Sequence, residues 1–177
     1  RQQTQYGYGN RQFENTDSLF LKKRRVIDKG NTEVVAEYIK EMTGADVFRI
    51  MPDKEYEKIQ DYDELVELTR IEHENDERPT FNGKINDIGK YDTIFIGSPI
   101  WWYTFPQVMY TFLDSYDLNG KTIIPFTTHE GSGLADVVEV LRKYYPNATV
   151  AEGLAIRGRD AVKSKEKVVR WLEKTGF

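Results

Sequence analysis

The chain has 177 residues, the length of one domain, with 39% hydrophobic and 31% charged residues and a formal net charge of −4. The acidic balance argues against a nucleic-acid partner, and no apolar run reaches the length of a membrane span. The absence of cysteine excludes thiol catalysis, disulfides and thiolate metal sites, and two histidines, His73 and His129, are too few for a multi-histidine metal site within one chain.

Residues 1–17 are polar, glycine-containing and aperiodic, and read as a flexible tail ahead of a single domain over 18–177. No apolar signal core stands there, so a cytoplasmic location is the expectation; a leader removed upstream would leave the same stub. Ser18-Leu19-Phe20-Leu21 is the candidate for the first strand. Lys22-Lys23-Arg24-Arg25 follows at once, either a solvated loop edge or a phosphate-facing patch.

Val34, Val35, Tyr38, Ile39 and Met42 recur at helical period and predict a helix over 32–43, with Val35, Ile39 and Met42 packed inward. Asn31 or Thr32 is its natural N-cap, and the N–H groups at such a start make an anion site as readily as an ordinary cap. Gly44 ends the helix. Residues 45–51, centred on Val47-Phe48-Arg49-Ile50, predict the second strand, closed by Pro52. Residues 53–78 hold eleven acidic and four basic side chains. A helix near 61–74 turns Leu65, Leu68 and Tyr62 inward and leaves an acidic, solvated outer face that includes His73. Residues 78–90 form a loop.

Thr93-Ile94-Phe95-Ile96 is a short apolar run of the kind buried on both faces, stopped by Gly97-Ser98-Pro99. Ile100-Trp101-Trp102-Tyr103 then follow with no helical or strand period, and Pro106 opens the next helix, whose inward face is Val108, Met109, Phe112, Leu113 and Tyr116. The two tryptophans either cap the core or a subunit contact, or stand at a ligand crevice at the strand's carboxyl end. Asn119-Gly120 makes a turn. Residues 121–127 predict a fourth strand that runs into a small-residue loop, Thr128-His129-Glu130-Gly131-Ser132-Gly133. A helix follows with Leu134, Val137, Val138 and Leu141 inward, then a fifth strand over 148–156 interrupted at Gly153, then a last helix over 163–175 with Val168, Val169, Trp171 and Leu172. From Arg157 to the end there are seven basic and three acidic residues.

Five alternating strands and helices predict a three-layer, doubly wound α/β domain with a five-stranded parallel sheet in the order 2-1-3-4-5. Strands 93–97 and 122–127 are then central and almost fully buried. The loops at 22–32, 98–105 and 128–133 converge on one edge.

Those loops carry a resemblance. Gly30-Asn31-Thr32-Glu33-Val34-Val35 is similar to the phosphate loop and first helix of FMN-binding flavodoxins. Gly97-Ser98-Pro99-Ile100-Trp101-Trp102 and Thr127-Thr128-His129-Glu130-Gly131-Ser132-Gly133 resemble the two ring-side loops of a bacterial flavodoxin-like subfamily. The resemblance gives Gly30, Asn31 and Thr32 to the ribityl phosphate, and Pro99, Ile100, Trp101, Trp102 and Tyr103 to the flavin ring. It gives Thr128, His129, Gly131 and Ser132 to the ring's other side. His129 either bonds the flavin edge or satisfies backbone groups. No residue is marked as catalytic, because the cofactor carries the chemistry. The resemblance implies an FMN-dependent redox protein, an electron carrier or an NAD(P)H:quinone-type oxidoreductase, whose partner is a redox protein or a small electron acceptor. One departure is plain: the family's first strand ends in a serine, and no serine or threonine stands between Leu21 and Thr32. A cofactor-free binding module on the same fold is therefore the competing reading.

Overall fold

The computed structural model describes residues 29–59 and 61–177. The tail at 1–17, the expected first strand at 18–21 and the basic run at 22–25 lie outside the described residues.

Helix α1 (Asn31–Thr43) buries Val35 and Ile39, as the period requires. It ends where Gly44 takes φ 69° and donates its N–H to the Lys40 carbonyl at 2.8 Å. Met42 is 49% exposed rather than packed. It sits in the last turn of the helix. That segment, 45–51, was expected as the second strand. Among the described residues only Met51 of this segment pairs, in the two-residue strand β1 (Met51–Pro52), antiparallel to β2 (Phe81–Asn82). Val47 and Phe48 are exposed. The apolar pattern is strand-like, but a strand needs a ladder, and the order 2-1-3-4-5 would pair this segment with the first strand alone.

Among the described residues the main sheet comprises β3 (Thr93–Pro99), β4 (Thr122–His129), β5 (Thr149–Val150) and β6 (Leu154–Arg157), all parallel, with β4 in the middle. The expected strand 122–127 is central and its residues 123–127 are buried. Among the described residues β3 pairs only with β4, and Thr93, Ile94, Phe95 and Gly97 are half-buried rather than almost fully buried. The ladder also runs through Gly97 and Ser98 to Pro99 instead of stopping before them. Gly97 lies opposite Phe126, and a Cβ there would fall 2.0 Å from the Phe126 ring, so the ring packs where only glycine leaves room.

The fifth strand is interrupted as expected, and Pro125 is the reason. Ala151 N–H still donates to the Ile123 carbonyl at 2.9 Å. The next donor toward that neighbour is two residues on, at Pro125, which has no N–H. The partner chain leaves the ladder over Ala151, Glu152 and Gly153 and rejoins at Leu154. Gly153 fills the gap closely, with the Leu134 methyls 2.8 and 2.9 Å from where a Cβ would be.

Successive residues of β4 face opposite ways. Ile123 joins Ile96, Met109, Phe112, Val137 and Leu141, the core beneath α3 (Gln107–Ser115) and α4 (Val137–Tyr144). Ile124 and Phe126 join Val35, Ile39, Val168, Trp171 and Leu172, the core beneath α1 and α5 (Lys165–Thr175). The result is a sheet with helices on both faces. Between β1 and β2 lies α2 (Tyr62–Glu74), capped by the Asp61 carboxylate, which accepts from the Asp63 and Glu64 N–H groups. No helix among the described residues is long and apolar enough to cross a membrane.

Candidate functional site

After β3 the backbone makes a tight hairpin. Trp101 and Thr104 exchange both N–H···O=C bonds at 3.0 Å, and the residues between them, Trp102 and Tyr103, take φ 53° and 62°. Two left-handed residues in a two-residue loop are the signature of a hairpin turn that favours Asn-Gly. Bulky side chains there are strained by roughly 1–2 kcal/mol each. The feet of the hairpin hold it. Ile100 N–H donates to the Thr128 carbonyl at 3.0 Å, and the Thr104 and Tyr110 hydroxyls lie 2.5 Å apart.

Helix α2 supports the hairpin from one side. Trp102 Nε1 donates to Thr69 Oγ1 at 3.2 Å, and Thr69 in turn donates to the Leu65 carbonyl. Trp101 stands edge-to-face on Tyr56, ring centres 5.8 Å apart. Tyr56 donates to both carboxylate oxygens of Glu72 at 3.0 Å, and Lys54 Nζ reaches Glu72 Oε1 at 2.6 Å. Burial, then the Glu72 charge, push the Tyr56 phenol far above its ordinary range, which keeps it a proton donor. Glu72 is 2% exposed, so one residue of the expected acidic outer face points inward. The sequence reading missed Tyr56, Thr69 and Glu72; Leu65, Thr69 and Glu72 do recur at i, i+4 and i+7, the spacing of one helix face.

The second loop begins at Thr128, which is fully buried. Its hydroxyl lies 2.6 Å from that of Thr32, in the first turn of α1. Thr127 closes the loop by donating to the Gly133 carbonyl at 2.9 Å. Beyond it, His129 Nδ1 and Ser132 Oγ are buried atoms with no hydrogen-bond partner among the described residues. Burial first, then the positive Arg157 and Lys167, lower the His129 pKa below its ordinary value and favour the neutral ring. Such atoms ordinarily find a partner, and a bound molecule is one way they do.

At the helix start, Gly30 rather than Asn31 or Thr32 is the N-cap, with extended φ −68° and ψ 157°. Asn31 and Thr32 are the first helical residues, and the N-cap Gly30 has no side chain to cap the N–H groups of this turn. The structure thus brings together Thr32, Pro99, Ile100 and Thr128, the last bonded to Thr32 through its hydroxyl and to Ile100 through its carbonyl. Ile100 is fully buried in the core beneath α3 and α4, so its side chain serves packing. Trp101 and Trp102 are half-buried, Tyr103 is 50% exposed and Gly131 is exposed.

The model of the flavodoxin family matches residues 26–175. A Bacteroides uniformis ATCC 8492 protein assigned as a flavoprotein is 30% identical, with a TM-score of 0.70, over 80% of this chain and 90% of that one. One from Bacteroides eggerthii DSM 20697, assigned likewise, is 28% identical, with a TM-score of 0.68, over 83% and 91%. A Lactobacillus acidophilus NCFM flavoprotein solved in complex with FMN is 20% identical, with a TM-score of 0.56, over 75% and 89%, a likeness of fold alone. No curated protein matches the chain.

Proposed function

This chain belongs to the flavodoxin family, and from that premise we propose that it is an FMN-dependent redox protein, acting in electron transfer or as an NAD(P)H:quinone-type oxidoreductase. The observation that carries the reading is the position of Thr128. Through its hydroxyl it meets Thr32 at the start of α1, and through its carbonyl it meets Ile100 at the foot of the tryptophan hairpin. Three loops that a flavin mononucleotide would need at once therefore meet at one residue.

The groups at hand suit such a ligand. Gly30, Asn31 and Thr32 offer a helix N-terminus whose N-cap residue is glycine, suited to a phosphate dianion. Trp101, Trp102 and Tyr103 offer aromatic faces, Trp102 held by Thr69 of α2 and Trp101 by Tyr56 before any ligand arrives. His129 and Ser132 offer polar atoms without partners among the described residues, suited to the hetero-edge of a ring. Bound FMN would supply the electron-accepting ring; this chain's residues would bind it, orient it and keep water from one side of it. The FMN-bound relative from Lactobacillus acidophilus adds support at the level of the fold.

The test is reconstitution. The purified protein is incubated with FMN, desalted, and examined for visible flavin absorbance and for quenching of tryptophan fluorescence. One equivalent of retained FMN is expected. No retention, with the protein folded, would favour a cofactor-free module on this fold.

A further inference from the structure

The strand order sets the tryptophan hairpin and a second feature on opposite sides of β4. The hairpin follows β3; on the other side, at the end of β6, lies an open groove lined by His129, Gly131, Arg157, Asp160, Lys163 and Lys167. His129 and Arg157 are register partners, so their side chains leave the sheet side by side. The Arg157 guanidinium lies over Gly131, 4.0 Å from where a Cβ would be.

The groove is unbalanced in charge. Three cations line it against one carboxylate, Asp160, whose ion-pair contact is with Arg159 at 4.0 Å. Neither Arg157 nor Lys163 has an acidic partner among the described residues, although the chain as a whole is acidic. Lys167 is held in place by the Ala155 carbonyl at 2.8 Å, with donors to spare. Burial first, then the positive Arg157 and Lys167 of this groove, lower the His129 pKa.

We propose that this groove binds an anionic group, a phosphate, carboxylate or sulfonate, carried by the small redox reactant, and that His129 stands between that reactant and the hairpin. The proposal rests on the FMN reading for the word redox, and on the groove alone for the word anion. A fork-shaped guanidinium and two ammonium groups around a glycine-lined floor suit a multidentate oxyanion better than a neutral ring.

The experiment has two arms on the full chain. In the first, inorganic pyrophosphate is titrated into the protein, with and without FMN, while the ring signals of the two histidines are followed by NMR. The His129 signal should move saturably, exposed His73 should not, and the double variant Arg157→Gln/Lys163→Gln should abolish the movement. In the second, FMN-loaded protein is photoreduced and reoxidised by 1,4-naphthoquinone or its 2-sulfonate in stopped flow. The double variant should lower the ratio of the sulfonate rate constant to the neutral one by roughly five- to twentyfold, a difference that added salt should erase. An unchanged ratio and a His129 signal indifferent to pyrophosphate would overturn the proposal while leaving the FMN reading intact. Retained pyrophosphate binding with no FMN uptake would do the reverse: the anion site would stand and the redox reading would fall. A tenfold loss of FMN affinity in the variant would also overturn the proposal, because the groove would then hold the cofactor's own phosphate.

Discussion

The hydroxyls of Thr32 and Thr128, ninety-six positions apart in sequence, lie 2.6 Å from one another. The bond ties the amino end of a surface helix to the carboxyl end of the central strand, and so fixes the distance between the proposed phosphate and ring loops. Thr128 is fully buried, which keeps water from competing. Replacing either threonine by valine keeps the shape and should cost roughly 0.5–1.5 kcal/mol in urea unfolding. Replacing both should cost less than the two single losses together, because the second change removes a group already left unpaired. Strict additivity would show that the two hydroxyls do not act as a pair.

Strain and function separate at Tyr103. Its left-handed φ of 62° costs roughly 1–2 kcal/mol for a bulky residue, and its side chain is 50% exposed. Tyr103→Gly relieves that strain, offset by roughly 0.5–1 kcal/mol of glycine's unfolded-state entropy. Apo stability should therefore hold or rise by up to about 1.5 kcal/mol, while FMN titration should show affinity weakened by the order of 1 kcal/mol from the lost aromatic face. A large loss of apo stability would mean that the ring is packing rather than waiting for a ligand.

The Glu72–Tyr56 pair bears on Trp101 through ring contact. Tyr56→Phe leaves a buried carboxylate with Lys54 alone at its oxygens, and should destabilise the protein by roughly 1.5–3 kcal/mol. The near-ultraviolet circular dichroism of the tryptophans should change with it. Adding Glu72→Leu to that variant should recover part of the stability, since replacing both partners by apolar groups removes the unsatisfied charge. A double variant worse than the sum of its parts would sink this account.

What could be read from the sequence was what local chemistry decides. Gly44 stops α1 because only a residue tolerant of positive φ makes that cap, and Gly120 turns the chain for the same reason. Val35 and Ile39 declare their face by period, and Gly153 marks the break in the fifth strand, although its cause, Pro125 on the neighbouring strand, shows only in the pairing. Contacts between distant segments were not legible. Trp102-Tyr103 carries none of the Asn-Gly chemistry of its turn; Thr128 and Thr69 hold it from outside. Glu72 reads as one more surface acid until Lys54 and Tyr56 are brought to it. The 45–51 run has a strand's pattern, but among the described residues only Met51 pairs, and its expected partner at 18–21 lies outside them. Of the proposed site, the three loops were visible as motifs, while the support of the tryptophans by α2 and the basic groove beyond His129 were not.

The last prediction concerns acid stability. The His129 pKa is lowered from its ordinary value of 6.5, first by burial and then by Arg157 and Lys167. In the unfolded chain the ring takes up its proton as pH falls through about 6.5, whereas in the folded protein it waits until a lower pH. Between those two values the unfolded state binds more protons. Folded stability is therefore fully present above about 6.5, and is lost as pH falls from there toward the folded pKa. Carboxylates add their own acid losses lower down, so the informative quantity is the difference between wild type and His129→Asn. Melting temperatures of the apo proteins at about pH 7.5 and about pH 5.5 should show a larger drop for the wild type than for the variant. His73→Asn, at an exposed position, should follow the wild type. Arg157→Gln should move the His129 titration upward, though not back to the ordinary value, because burial is the larger cause and remains. Equal drops for wild type and His129→Asn would show that the half-buried ring pays no desolvation penalty on protonation.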